Sequence, residues 1–241
     1  MDQQHSKNWS LYNGDCVEVT GQMEENSIDY MIYSPPFSQL YTYSDSIKDM
    51  GNCKTDEEFY AHFGYLARNL YRILKPGRLM SFHCMLIPAM KERDGYIGIK
   101  DFRGDLIRMF QKEGFIFHSE VTIWKDPLIE AVRTKALGLM HKQLCKDSSM
   151  CRQGLPDYVI TMRKPGVNKN FITHDTGLTC YAGAVTPEGD VLSHEIWRKY
   201  ASPVWNDIRQ TNTLNKMPAR DEKDEKHIAP LQLDVIERCI T

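Results

Sequence analysis

Residues 27–37 read SIDYMIYSPPF. The first eight form a compact apolar run of strand length, and two prolines then stop it. A proline pair removes two backbone N–H donors and fixes two φ angles, so the ladder ends there. The stretch predicts a buried strand closing in a stiff turn. One hydroxyl, Ser34, precedes that turn and one ring, Phe37, follows it.

Working outward, WSLYNG (9–14) predicts a short strand ending at Gly14-Asp15. Over 56–74, helical spacing puts Phe59, Phe63, Leu66, Leu70, Ile73 and Leu74 on one face. Thr55 with Glu58 three residues on is a capping box, and Lys75-Pro76-Gly77 ends the helix. RLMSFHCM (78–85) is the next strand. DLIRMFQKEG (105–114) is a helix closed by Gly114, FIFHSEVTIWK (115–125) a long strand, and DYVITMRKPG (157–166) a strand with a turn. Alternating βαβαβ order with near-continuous apolar strands predicts an α/β sheet covered by helices on both faces.

The second half is less regular. Residues 167–217 are rich in Asn, Thr, Gly and aromatics with no sustained period, which predicts a loop-rich insertion. DEKDEK (221–226) reads as a solvated linker. Pro230 opens a last helix with Leu233, Ile236, Cys239 and Ile240 expected inward.

The composition is ordinary for a globular chain: 241 residues, 41% hydrophobic, 26% charged, formal net charge −2. That balance gives no global argument for a polyanionic partner, so any such contact must come from a local basic face. No apolar run is long enough to span a bilayer, and MDQQHSKNWS lacks a basic-then-apolar leader, so a cytoplasmic protein without a membrane partner is expected. The 7 cysteines form no C-x-x-C, and no Cys/His cluster has zinc spacing. They read as reduced thiols, and no metal is expected.

Ser34-Pro35-Pro36-Phe37 at the end of a buried strand resembles the [DNS]-P-P-[YFW] motif of the amino-methylating DNA methyltransferases. Its setting resembles the permuted subclass in which the catalytic half comes first: LYNGDC, SIDYMIYSPPF, a capped helix ending LKPGRL, then GFIFHSEVTIWKDP, DYVITMRKPG and EKHIAPLQLDVIERCI. The resemblance implies a Rossmann-like S-adenosylmethionine-dependent methyltransferase sheet with a loop-rich insertion. It also implies methyl transfer to an exocyclic amine of a flipped base, cytosine-N4 or adenine-N6, in double-stranded DNA, as in restriction-modification systems of bacteria or phage. Catalytic residues are then Ser34, Pro35, Pro36 and Phe37. Ser34 Oγ and the Pro35 carbonyl would accept the amine hydrogens, an effect worth about 3–4 kcal/mol per well-placed group, and Phe37 would stack on the base. Cofactor contacts fall on Asp15, Ser34, His227 and Pro230; the last two match the family's H-P-[TA]-[QP] segment only in part.

For DNA, the basic island 125–152 carries Lys125, Arg133, Lys135, Lys142, Lys146 and Arg152. WRKYASPVWNDIRQTN (197–212) mixes Trp197, Tyr200 and Trp205 with Arg198, Lys199 and Arg209, and its Asn206, Gln210 and Asn212 suit adenine edges. Residues 41–52 are expected to form a mobile loop closing over the base. The domain organisation expected is a catalytic unit 1–166, a target-recognition region 167–217, and a cofactor-side linker and helix 218–241.

The family's F-x-G-x-G cofactor loop follows the H-x-x-P segment, and here Thr241 is reached before such a loop. The sheet is therefore expected to lack its first strand, S-adenosylmethionine to bind weakly to this chain alone, and a homodimer or complementing chain to supply the rest. Two other readings stay open: an inactive DNA-binding fragment or subunit, and a methyltransferase of RNA or of a protein amide.

Overall fold

The computed structural model describes residues 2–89, 91–134, 139, 145–146, 151–170, 193–214 and 230–240. The chain opens with a hairpin, β1 (Asp2–His5) against β2 (Ser10–Asn13), in antiparallel register. The strand expected over 9–14 forms, but it pairs with the N-terminus and stands apart from the main sheet. Helix α1 (Cys16–Gln22) follows, then β3 (Ile28–Tyr33), α2 (Asp56–Ile73), β4 (Leu74–Met85), β5 (Ile87–Ala89), α3 (Lys91–Asp94), β6 (Gly98–Lys100), α4 (Phe102–Lys112), β7 (Ile116–Ile123), α5 (Pro127–Thr134), β8 (Asp157–Arg163), α6 (Ser193–Ala201), β9 (Val204–Trp205) and α7 (Leu233–Ile240).

Five strands make the central sheet in the order β3-β4-β8-β7-β9. β3 runs parallel to β4, and β9 parallel to β7, while β8 lies antiparallel between β4 and β7. The sheet is mixed because β8 is reversed. Alternation along β4 sends Met80, Phe82 and Cys84 to one face, where α2 and α4 cover them with Phe59, Phe63, Leu70, Leu106 and Phe110. Every residue expected on the inner face of α2 is buried. Its N-terminus is capped as the sequence predicts: Thr55 accepts from the Glu58 N–H at 3.2 Å, and Glu58 accepts from the Lys54 N–H at 2.7 Å.

The opposite face carries Ser81, His83, Asp157, Val159 and Thr161, in register across β4 and β8. Here α7 packs Val235 against Ile123, Val159, Trp205 and Ile208 in a second, smaller core. The inward stripe of α7 differs from the expected one. Ile240 is 63% exposed, and Val235 is fully buried with Leu231 and Cys239 beside it. The stripe steps by four residues, 231–235–239, which rotates Ile240 out to solvent. A helix at 193–201 also replaces part of the irregular stretch expected over 167–217.

The turn after β4's start and the turn after β8 interlock. Gly77 (φ 76°) and Gly166 (φ 119°) both sit in the left-handed region. A methyl group on Gly166 would lie 2.7 Å from Pro76 Cβ, and one on Gly77 would lie 2.5 Å from the Asn168 amide nitrogen. Beside them Lys164 is buried, and its ammonium donates to the Leu74 carbonyl (2.7 Å) and Asn26 Oδ1 (2.9 Å) over the Tyr71 ring. It thereby supplies a donor at the C-terminal end of α2, where carbonyls lack helical partners.

Candidate active site

β3 ends at Tyr33, and the proline pair turns the chain at the strand's C-terminal edge. This leaves Ser34 beside His83 of β4. Ser34 Oγ lies 3.2 Å from His83 Nδ1 and 3.3 Å from the His83 carbonyl oxygen. A serine hydroxyl has one hydrogen and two lone pairs. The hydroxyl hydrogen is directed to the His83 carbonyl oxygen, and the direction of the contact with Nδ1 follows the imidazole tautomer.

His83 is buried, and its other ring nitrogen, Nε2, is 3.2 Å from Asp157 Oδ2 at the start of β8. The two groups are close but make no directed hydrogen bond. Asp157 Oδ1 takes a 2.6 Å bond from Lys125 Nζ, just past the end of β7. Burial alone would raise the Asp157 carboxyl, but His83 and Lys125 outweigh it and hold it below the ordinary carboxylate range. A carboxylate only accepts, so a tautomer with its hydrogen on Nε2 would leave Nδ1 as an acceptor facing Ser34. Four side chains from four adjacent chain segments thus form one polar row, buried at His83 and Asp157 and more open at Ser34.

Pro35 is buried and Phe37 is 4% exposed. The Phe37 ring meets His83 and Phe102 edge-on, each at 6.2 Å between centroids. In this conformation Phe37 is a core residue supporting the His83 ring, and no open face is offered for stacking.

Asp15 caps α1: Oδ1 accepts from the Glu18 N–H at 2.9 Å. It also lines an open cleft of about 390 Å³ with Asn13, Gly14, Glu18, Ser44, Ser46, Lys48 and Asp49. The far wall of the cleft belongs to the loop expected to be mobile. That loop is compact here: Asp49 accepts from the N–H groups of Tyr43 (2.7 Å), Ser44 (2.7 Å) and Gly51 (2.9 Å). Lys48 pairs with Glu18 across the cleft. Pro230 is half-buried ahead of α7, while His227 lies outside the described residues.

The expected DNA contacts divide. Lys125 is drawn into the polar row with 10% of its side chain exposed, which corrects its expected place on a DNA-facing surface: the buried Asp157 carboxylate holds it. Trp205 is likewise core, 5% exposed. Arg152 approaches Glu130 at 3.7 Å, and Arg209 is paired to Asp234 at 2.6 Å. Arg198, Lys199, Asn206 and Lys146 are exposed. Arg133 falls on α5, and Lys135 and Lys142 lie outside the described residues. His83 and Asp157 carry no assignment from the sequence. Their signal is a histidine inside the apolar run RLMSFHCM and an aspartate opening the strand DYVITMR.

The fold is that of a Rossmann-like methyltransferase. A protein of Thermus thermophilus provisionally described as a DNA modification methylase, solved with S-adenosyl-L-methionine, superposes with a TM-score of 0.60 at 19% identity, over 94% of this chain and 71% of its own. Its selenomethionine form gives 0.54 at 17%, over 81% and 65%. This chain thus spans about two thirds of that protein's length. The PvuII cytosine-N4-specific DNA methyltransferase aligns over 65% of this chain and 50% of its own, at 22% identity and a TM-score of 0.43. No family model and no curated protein matches the sequence.

Among the described residues no helix is long and apolar enough to cross a membrane, and no group of three His, Cys, Asp or Glu side chains is placed to hold a metal. None of the described cysteines is in a disulfide.

Proposed function

We propose that the chain is the catalytic part of an S-adenosylmethionine-dependent DNA methyltransferase acting on an exocyclic amine, cytosine-N4 or adenine-N6. The observation that carries this reading is Ser34 Oγ, held just past the end of β3 by its contacts with the His83 ring and carbonyl oxygen. An exocyclic base amine shares its nitrogen lone pair with the ring and is a poor nucleophile. Two acceptors on its hydrogens, Ser34 Oγ and the Pro35 carbonyl, return that electron pair to the nitrogen. The prolines add no competing N–H, and their fixed φ keeps the carbonyl aimed.

The cleft beside Asp15 fits the methyl donor's nucleoside part in chemistry. Its lining offers the carboxylates of Asp15, Glu18 and Asp49 and the hydroxyls of Ser44 and Ser46. Those acceptors suit an adenine amine and ribose hydroxyls, and the volume is within the usual range for small-ligand sites. When bound, the donor supplies an electrophilic methyl group. The Thermus thermophilus likeness and the exposed Arg198, Lys199 and Asn206 support a DNA substrate.

The test is transfer of labelled methyl from S-adenosylmethionine to unmethylated duplex DNA. Incorporation that falls about 100-fold in Ser34→Ala is expected, on the scale of losing one preorganised polar contact in an active site. No incorporation overturns the reading.

A further inference from the structure

We propose that His83 is the positioning and proton-relay residue behind Ser34, oriented by Asp157 and charge-balanced by Lys125. The inference deepens the proposed function and rests on it for the identity of the substrate amine. Its geometry is the row Lys125 Nζ–Asp157 (2.6 Å), Asp157–His83 Nε2 (3.2 Å) and His83 Nδ1–Ser34 Oγ (3.2 Å).

Transfer creates a proton that must leave. As the nitrogen–methyl bond forms and the methyl–sulfur bond breaks, the amine nitrogen keeps both hydrogens and becomes cationic. Ser34 Oγ, already accepting from one of those hydrogens, takes that proton. Its own hydrogen passes to His83 Nδ1. The nitrogen ends neutral with one hydrogen and one methyl, Ser34 ends as the hydroxyl it began, and the imidazole ends as imidazolium facing the Asp157 carboxylate. The imidazolium then releases its proton to solvent. No electron changes hands, and no further reactant is required.

Each neighbour has a distinct part. Asp157 fixes which nitrogen is bare, because it faces Nε2 and only accepts. Lys125 balances the charge of the Asp157 carboxylate. Phe37 seats its ring edge-on to the imidazole and limits rotation. Ser34 directly follows β3, His83 lies in β4, Asp157 opens β8 and Lys125 follows β7 by two residues, so paired strands hold the row at their ends.

The deciding experiment is nitrogen-15 NMR of the imidazoles in the protein as it exists, with His83 assigned through His83→Asn. At neutral pH a protonated Nε2 and a bare Nδ1 are expected, with the Nδ1 resonance moving in Ser34→Ala and the single tautomer lost in Asp157→Asn. A protonated Nδ1 in the unaltered protein overturns the relay, whatever the methylation assay shows. The second arm is kinetic. His83→Asn offers an amide oxygen close to the Nδ1 position, which holds the Ser34 hydrogen but accepts no proton. KM for DNA near the unaltered value with kcat lowered about 10²–10⁴-fold is expected. An unaltered kcat in that variant overturns the relay. Absence of any methyl transfer defeats the proposed function and leaves the NMR result to decide the row.

Discussion

Lys125 Nζ lies 2.6 Å from Asp157 Oδ1, and neither side chain is more than one-tenth exposed. A buried ion pair adds little by itself, because desolvating two charges offsets their attraction, but breaking it leaves one charge stranded. Lys125→Met is therefore expected to lower unfolding stability by about 3–5 kcal/mol. Combining it with Asp157→Asn should return a large part of that loss. Urea unfolding of the two single variants and the double variant measures the coupling. Additive losses would show that the pair is not one unit.

The same carboxylate sets an acid dependence. Its folded-state pKa is held below the unfolded value, so it contributes stability above the ordinary aspartate range and loses it as pH falls through the folded value. The window lies below about pH 4, starting from an unfolded pKa near 3.9. Unfolding free energy measured from pH 6 to 2 should fall less steeply in Asp157→Asn than in the unaltered protein. Equal slopes would remove Asp157 from the acid response.

Phe37 has two claims on it. The motif assigns it to a flipped base, while the structure packs it between His83 and Phe102. Phe37→Ala is expected to cost about 3–5 kcal/mol as a buried ring truncation. Its activity alone therefore does not separate the roles. Phe37→Leu keeps most of the volume and is expected to stay within about 1.5 kcal/mol of the unaltered fold. If the ring also stacks on a base, Phe37→Leu should weaken binding of DNA with an abasic partner opposite the target by about 1–3 kcal/mol. Unchanged binding would leave Phe37 as packing alone.

These residues show what is legible without the structure. Helix α2 is readable because its signal is local: a helical period bounded by the Thr55 cap and the Pro76-Gly77 stop. Ser34 is readable because its motif is contiguous. The polar row is not, since it joins residues 34, 83, 125 and 157 through strand register, and a sequence shows neither β8's reversed direction nor its place between β4 and β7. Lys125 resembles surface charge because one buried carboxylate 32 positions later decides its fate. The inward stripe of α7 escapes the sequence for a related reason: Ile240 and Val235 are equally apolar, and only the second core tells them apart. The α6 helix, SHEIWRKYA, has 9 residues against 18 in α2, so its period shows over few turns.

Helix α7 is latched to the segment before it by two crossed ion pairs, and they should behave differently. Asp234 accepts from the Arg209 backbone N–H (2.8 Å), Arg209 Nε (3.0 Å) and Nη2 (2.6 Å), and Asn212 Nδ2 (2.6 Å). One turn on, Arg238 donates to both oxygens of Asp207 (2.8 and 2.7 Å) and lies over the Trp205 ring. The Arg209 side chain is 70% exposed and that of Arg238 only 8%. Exposed pairs contribute about 0–1 kcal/mol and are screened by salt, so Arg209→Ala should cost little and nothing measurable in about 1 M salt. Arg238→Ala removes a bidentate pair and the ring contact together, and about 1–3 kcal/mol of its cost should persist in high salt. Asp234→Ala frees four donors at once and should speed amide exchange over 207–213 and 231–239 while leaving the α2 amides unchanged. Salt-independent losses of equal size in the two arginine variants would show that exposure does not govern the latch.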